Sequence, residues 1–189
     1  MRRLLMALLA LPILTVAPRT LRAESELYGG VGIGYSTFSV NATGFEDSGL
    51  ANRQFLGLRY GRFVGVEVGY IDFGKANDQV ADLFGSGTLN EGIETWGYDL
   101  SLVGRYPLNE ELSAFGKLGV IRWDSEDTLE PLPLPNKTDG DDLIYGVGLD
   151  FRGSGRVHIR VEAEVVDIAF ANSWWVLTTS VMYGFPFAR

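Results

Sequence analysis

The chain has 189 residues, 46% hydrophobic and 21% charged, with 24 glycines, no cysteine and a formal net charge of −8. The missing cysteine excludes a disulfide framework, a thiol nucleophile, a cysteine-ligated zinc or iron–sulfur site and a lipidated N-terminal cysteine. The acidic balance, with a pI near 4.7, excludes nucleic acid as a partner, because phosphate binding needs a basic face.

Residues 1–23 read as a secretory signal peptide. Arg2 and Arg3 form the positive start, Leu4 to Ala17 the apolar stretch, and Leu21-Arg22-Ala23 the cleavage site before Glu24. The apolar stretch is interrupted by Pro12 and is too short for a bilayer, which needs about 20 residues. The remainder, 24–189, is expected to be one domain.

That domain alternates with period two and shows almost nothing of period 3.6. Eight strands are predicted. Residues 27–38 set Leu27, Val31, Ile33 and Tyr35 against Tyr28, Gly30, Gly32, Gly34 and Ser36. Residues 54–60 set Leu56, Leu58 and Tyr60 against Phe55, Gly57 and Arg59, and 64–73 set Val64, Val66, Val68 and Tyr70 against Gly65, Glu67, Gly69 and Ile71. Residues 95–106 set Trp96, Tyr98, Leu100, Leu102 and Tyr106 against Thr95, Gly97, Asp99, Ser101 and Arg105. Residues 113–123 set Ala114, Gly116, Leu118 and Val120 against Phe115, Lys117 and Gly119, and 143–151 set Tyr145, Val147, Leu149 and Phe151 against Gly146, Gly148 and Asp150. Residues 157–166 set Val157, Ile159, Val161, Ala163 and Val165 against His158, Arg160, Glu162 and Glu164, and 174–187 set Trp175, Leu177, Val181, Tyr183, Phe185 and Phe187 against Trp174, Thr178, Ser180 and Gly184.

Short connections at 61–63, 107–111 and 152–156 alternate with long ones at 39–53, 74–93 and 124–142 and a shorter one at 169–173. Short turns at one end and long loops at the other describe an all-β, eight-stranded antiparallel up-and-down barrel. An eight-stranded barrel has an interior only just wide enough for side chains. The parity rich in glycine and serine therefore fits inside, and the parity of Val, Leu, Tyr and Trp faces outward. An apolar exterior needs lipid as its solvent, and closure satisfies the strand hydrogen bonds there. The opposite assignment, apolar inside and polar outside, would make a soluble lipocalin-like binding barrel. It conflicts with the size difference between the two parities.

Five stretches carry a more specific resemblance. They are Tyr28-Gly29-Gly30 with Gly34-Tyr35-Ser36, Glu67-Val68-Gly69-Tyr70-Ile71-Asp72-Phe73-Gly74, Val103-Gly104-Arg105-Tyr106-Pro107-Leu108, Gly116-Lys117-Leu118-Gly119 with Arg122-Trp123-Asp124, and Tyr145-Gly146-Val147-Gly148-Leu149. In this order and spacing they resemble the OmpA-like transmembrane β-barrels of Gram-negative bacteria, over essentially the whole chain after the signal peptide. The resemblance implies residence in the outer membrane. It implies outer-membrane lipid and lipopolysaccharide as surroundings, and periplasmic chaperones and the barrel-assembly machinery as partners. It also implies an aromatic assembly signal in the last strand, here Tyr183, Phe185 and Phe187, the last followed by Ala188 and Arg189. The peptidoglycan-binding domain of larger relatives is not expected, since the chain stops at the last strand.

The inward parity carries Arg59, Glu67, Asp99, Arg105, Lys117, Asp150, His158, Arg160, Glu162 and Glu164. Opposite charges in so narrow a space must pair, because an unpaired buried charge is very costly. Glu67 and Glu162 are expected to pair with Lys117, Arg160 and one of Arg59 or Arg105. Such a network either fills the barrel as a structural plug or forms a small ion-conducting pore gated by exchange of pairs; the narrow bore favours the plug. Catalysis has little to work with, and no enzyme activity, cofactor or metal is expected. A lipid A-modifying barrel enzyme that activates a serine needs a His–Ser pair on the lipid-facing side near the long loops. His158 is inward beside a short turn, and its nearest serine, Ser154, lies in that turn. The run Gly29 to Gly34 lacks the G-x-G-x-x-G spacing of a phosphate loop. The acidic run Asp139 to Asp142 lacks spaced oxygen ligands and reads as a solvated loop. Asn41-Ala42-Thr43 and Asn136-Lys137-Thr138 are chance glycosylation matches. No loop names an external partner.

Overall fold

The computed structural model describes residues 25–40, 45–81, 88–130, 136–153, 155–168 and 172–186. The segment read as a signal peptide, Ser154, Phe187, the sequon at 41–43 and the proline-rich stretch 131–135 lie outside the described residues. Eight strands follow in chain order: β1 (Ser25–Val40), β2 (Phe45–Tyr60), β3 (Val64–Ala81), β4 (Thr88–Pro107), β5 (Leu112–Glu130), β6 (Asn136–Arg152), β7 (Val157–Ile168) and β8 (Asn172–Pro186). Each pairs antiparallel with its neighbour in sequence, and β1 pairs with β8 to close the barrel.

The strands are longer than the alternation predicts, and this corrects the loop assignments. The segments 39–53, 74–93 and 124–142 are largely strand, carried upward as hairpins. Lys75–Ala81 pairs with Thr88–Glu94, and Arg122–Asp127 pairs with Asn136–Asp141. The physical reason lies in the solvent. Within the lipid-facing band every second residue must be apolar, so alternation is visible. Beyond it the outer face meets water, and the backbone pairs without leaving a hydrophobic alternation. The outward parity changes character at Val120 on β5 and Leu143 on β6. The next outward positions are Arg122 and Asp141, and Arg122 pairs with Asp139 at 3.5 Å.

The short turns are built by local chemistry. Gly61 adopts φ 66°, a left-handed conformation that costs glycine little. At the next turn Asn109 Oδ1 accepts the amides of Glu111 and Leu112 at 2.9 and 2.7 Å, as Asn side chains do in tight turns. One irregularity interrupts β3. The register to β4 shifts between Asp72 and Lys75, with Gly74 at φ 83°. Asp72 holds this bulge by accepting the Gly74 amide at 2.8 Å and the Asn52 side-chain amide at 3.0 Å. A Cβ on Gly74 would strike the Leu50 carbonyl.

Outward, large apolar side chains stand exposed around the wall, among them Ile33, Val68, Leu102, Leu118, Val147 and Leu177. Inward, the side chains pack in layers. Nearest the hairpins Ala51, Ile71, Phe73, Ile121, Ile144, Val166, Trp174 and Val176 form an apolar cluster, with the Phe73 and Trp174 rings 4.7 Å apart. Towards the short turns lie the charges, interleaved with the rings of Tyr28 and Phe55, which cluster with Met182. Inward glycines make room for the long side chains. A Cβ on Gly57 would meet the Tyr28 ring, and one on Gly69 would meet Asp99 and Arg53.

Candidate functional site

The charge layer is assembled from six strands, and each charged side chain reaches it because its position is inward in the register. On β7, Arg160, Glu162 and Glu164 alternate with outward Val161 and Ala163, which stacks three charges along one face. On β3, Glu67 accepts the Tyr28 hydroxyl at 2.6 Å and Arg160 at 2.7 Å. Arg160 also donates to Asp150 of β6 at 2.8 Å. Asp150 takes Arg105 of β4 as a second partner. The Arg160 guanidinium lies over the Phe115 ring at 4.3 Å and the Phe55 ring at 4.7 Å. These faces supply cation–π attraction that strengthens when water is excluded.

A second group sits nearer the hairpins. Lys117 of β5 lies 3.0 Å from Glu162 and donates to Glu164. Arg53 of β2 donates to Asp99 at 2.9 Å and stands 3.4 Å from Glu164 and 3.9 Å from Glu162. Asp99 accepts a further bond from Ser101 at 2.8 Å. Towards the short turns, Arg59 pairs with Glu26 at 2.6 Å, and this pair is partly exposed.

All eight of Arg59, Glu67, Asp99, Arg105, Lys117, Arg160, Glu162 and Glu164 therefore point into the barrel. Glu67 meets Arg160 and Glu162 meets Lys117. The expected third partner is different: Arg59 goes to Glu26 and Arg105 to Asp150, because both arginines lie nearer the short turns than either glutamate. Sequence reasoning missed Arg53, the residue that joins Asp99 to the two glutamates. It lay one position outside the predicted second strand. The parity of Phe55, Gly57 and Arg59, extended by one step, points to it. Tyr28 was inward by parity, but its hydroxyl bond to Glu67 had no signal. His158 is buried at the short-turn end. Tyr183 and Phe185 face outward with ring centroids 4.9 Å apart.

A closed antiparallel barrel with apolar side chains outside and paired charges inside is a transmembrane β-barrel, the one sheet architecture that leaves no unpaired edge in lipid. The family model of the OmpA-like transmembrane domain matches residues 22–170, and the chain belongs to this family of outer-membrane barrels. No curated protein matches the chain by sequence. Among solved structures, Ail, the attachment invasion locus protein of Yersinia pestis, is 17% identical with a TM-score of 0.60, covering 86% of this chain and 99% of that one. Neisserial surface protein A is 11% identical with a TM-score of 0.65, covering 84% and 97%. The outer membrane protein OprG of Pseudomonas aeruginosa is 17% identical with a TM-score of 0.59, covering 87% and 97%. At these identities the likeness is one of fold.

Proposed function

We propose that this protein is a non-catalytic outer-membrane barrel whose lumen is closed to ions, and that it works through the hairpins it raises above the membrane. Its role is structural or one of surface interaction within the envelope. The observation that carries the reading is the layered interior. A hydrated ion moving along the axis would meet the apolar cluster of Ile71, Ile121, Ile144 and Val166, and then a layer of mutually paired charges. The apolar layer would strip the ion of its hydration, and displacing the second layer would leave buried charges without partners, which is strongly unfavourable.

The hairpins support the second half of the reading. The stretch Arg122–Glu130 continues its strand past the last lipid-facing residue for roughly 25–30 Å at the usual rise. Its outward positions Arg122, Asp124 and Glu126 are charged, which suits water and lipopolysaccharide headgroups rather than acyl chains. In this orientation the short turns face the periplasm. Outer-membrane lipid and lipopolysaccharide are the immediate surroundings. Periplasmic chaperones and the barrel-assembly machinery deliver the chain, reading the aromatic end of β8 at Tyr183, Phe185 and Phe187.

The test is conductance of the refolded protein in planar bilayers. Closure predicts no stable openings at moderate voltage. Reproducible single-channel steps would replace the closed barrel with a small pore.

A further inference from the structure

The buried charges divide into two groups of different balance. Around Arg160, two cations meet two carboxylates, Arg160 and Arg105 with Glu67 and Asp150. Nearer the hairpins, three carboxylates share two cations: Asp99, Glu162 and Glu164 around Arg53 and Lys117. All five of these side chains are fully buried. A surplus negative charge in so dry a site is unfavourable unless a further positive charge joins it.

An independent feature points to where that charge would sit. Thr178 and Ser180 on β8 are 1% and 0% exposed, and neither hydroxyl has a hydrogen-bond partner among the described residues. Thr178 stands directly across from Glu162, and Ser180 is the next inward residue along β8, across from Arg160. Oε2 of Glu162 and Oε2 of Glu164 are likewise without a hydrogen-bond partner, as are Arg53 Nε and Nη1 and Arg160 Nη2, while Glu162 Oε1 lies 3.0 Å from Lys117 Nζ. The inward face of β7 and β8 thus holds carboxylate and hydroxyl oxygens together with a surplus charge. Such oxygens are hard donors that suit hard cations. Among the described residues no three His, Asp or Glu side chains are placed to hold a metal ion.

We propose that Glu162, flanked by Thr178 and Ser180, binds one sodium-sized monovalent cation, which balances the Arg53–Lys117 cluster. The charged and titratable groups facing this position come from seven strands: Tyr28 of β1, Arg53 of β2, Glu67 of β3, Asp99 of β4, Lys117 of β5, Asp150 of β6, and Arg160 and Glu164 of β7. β8 brings hydroxyls alone to it. The site requires the buried cluster and is independent of whether the lumen conducts, so stability rather than current reads it.

The experiment is urea unfolding of the full barrel refolded into phosphatidylcholine vesicles, with Glu162→Gln alongside. This variant leaves two carboxylates for two cations, a balanced cluster that remains compatible with folding. The series exchanges choline chloride for sodium chloride at constant ionic strength and constant pH. Sodium binding raises the folding equilibrium constant toward tenfold for each tenfold rise in sodium above the dissociation constant. This response must vanish in Glu162→Gln. Thr178→Val, which keeps every charge, should move the sodium dependence to about tenfold higher concentration. Wild-type stability indifferent to sodium overturns the proposal. So does a response that persists unchanged in Glu162→Gln.

Discussion

The pair formed by Glu67 and Arg160 gives the sharpest test of the interior. Both side chains are fully buried and 2.7 Å apart. Glu67→Gln keeps the shape and the Tyr28 contact but removes the charge. It leaves Asp150 as the one carboxylate in ion-pair contact with Arg160 and Arg105 among the described residues. Arg160→Met keeps most of the volume over Phe55 and Phe115 but leaves Glu67 with the Tyr28 hydroxyl alone. Breaking a buried pair by removing one partner costs about 3–5 kcal/mol. Each single variant should therefore lower the urea midpoint of the refolded barrel, followed by tryptophan fluorescence and by the mobility of unboiled samples on gels. Much of that cost is the stranded partner, so the double variant should lose less than the sum of the two. A coupling of about 1–3 kcal/mol is expected for residues in direct contact. Strict additivity, or single variants as stable as the wild type, would refute the pairing.

The other predictions use the same unfolding assay. Glu162→Gln should cost clearly less than Glu67→Gln, since Lys117 keeps Glu164 and the cluster becomes balanced; an equal loss would count against the charge surplus. Arg53→Met strips a partner from three carboxylates and should cost several kcal/mol, whereas Arg59→Met, at the partly exposed Glu26 pair, should cost less than about 1 kcal/mol. Leu102→Arg places a cation on the outward face of β4 and should destabilise the barrel in vesicles by about 2–4 kcal/mol. A neutral effect there would mean that this face does not meet lipid.

Much of the fold was legible because lipid is an exacting solvent. Val64, Val66 and Val68 alternate with Gly65, Glu67 and Gly69 since one parity must dissolve in acyl chains and the other must fit a narrow bore. Where that constraint ends, so did the reading. The upper parts of β3 to β6 looked like acidic loops, because a strand whose outer face meets water needs no apolar alternation. The same blind spot hid Arg53, which lies on β2 next to polar Asn52 and Gln54. The inward charges were found by parity, but their partners were not fixed by it. Parity gives the face, while depth depends on the stagger of all eight strands. The choice of Arg59 for Glu26 and of Arg105 for Asp150 belongs to that stagger.

The charges have a further consequence for how the stagger is specified. The outward face discriminates poorly between registers that differ by two residues, since Val, Ile and Leu exchange places with little loss. Slipping β7 by two against β6 keeps the apolar parity outside. Inside, the native register sets Asp150 opposite Arg160. A slip in one direction sets Asp150 opposite Glu162 and Arg152 opposite Arg160, two like-charged pairs directly across from one another, which is destabilising. A slip in the other direction brings His158 to Asp150 and carries Arg160 opposite Gly148, away from the carboxylate it bonds. In lipid, parity is enforced by solvation and register is left to whatever can tell one inward residue from the next. Here that is the sequence of charges along β7, read against Asp150, Lys117 and Glu67 on its neighbours around the bore.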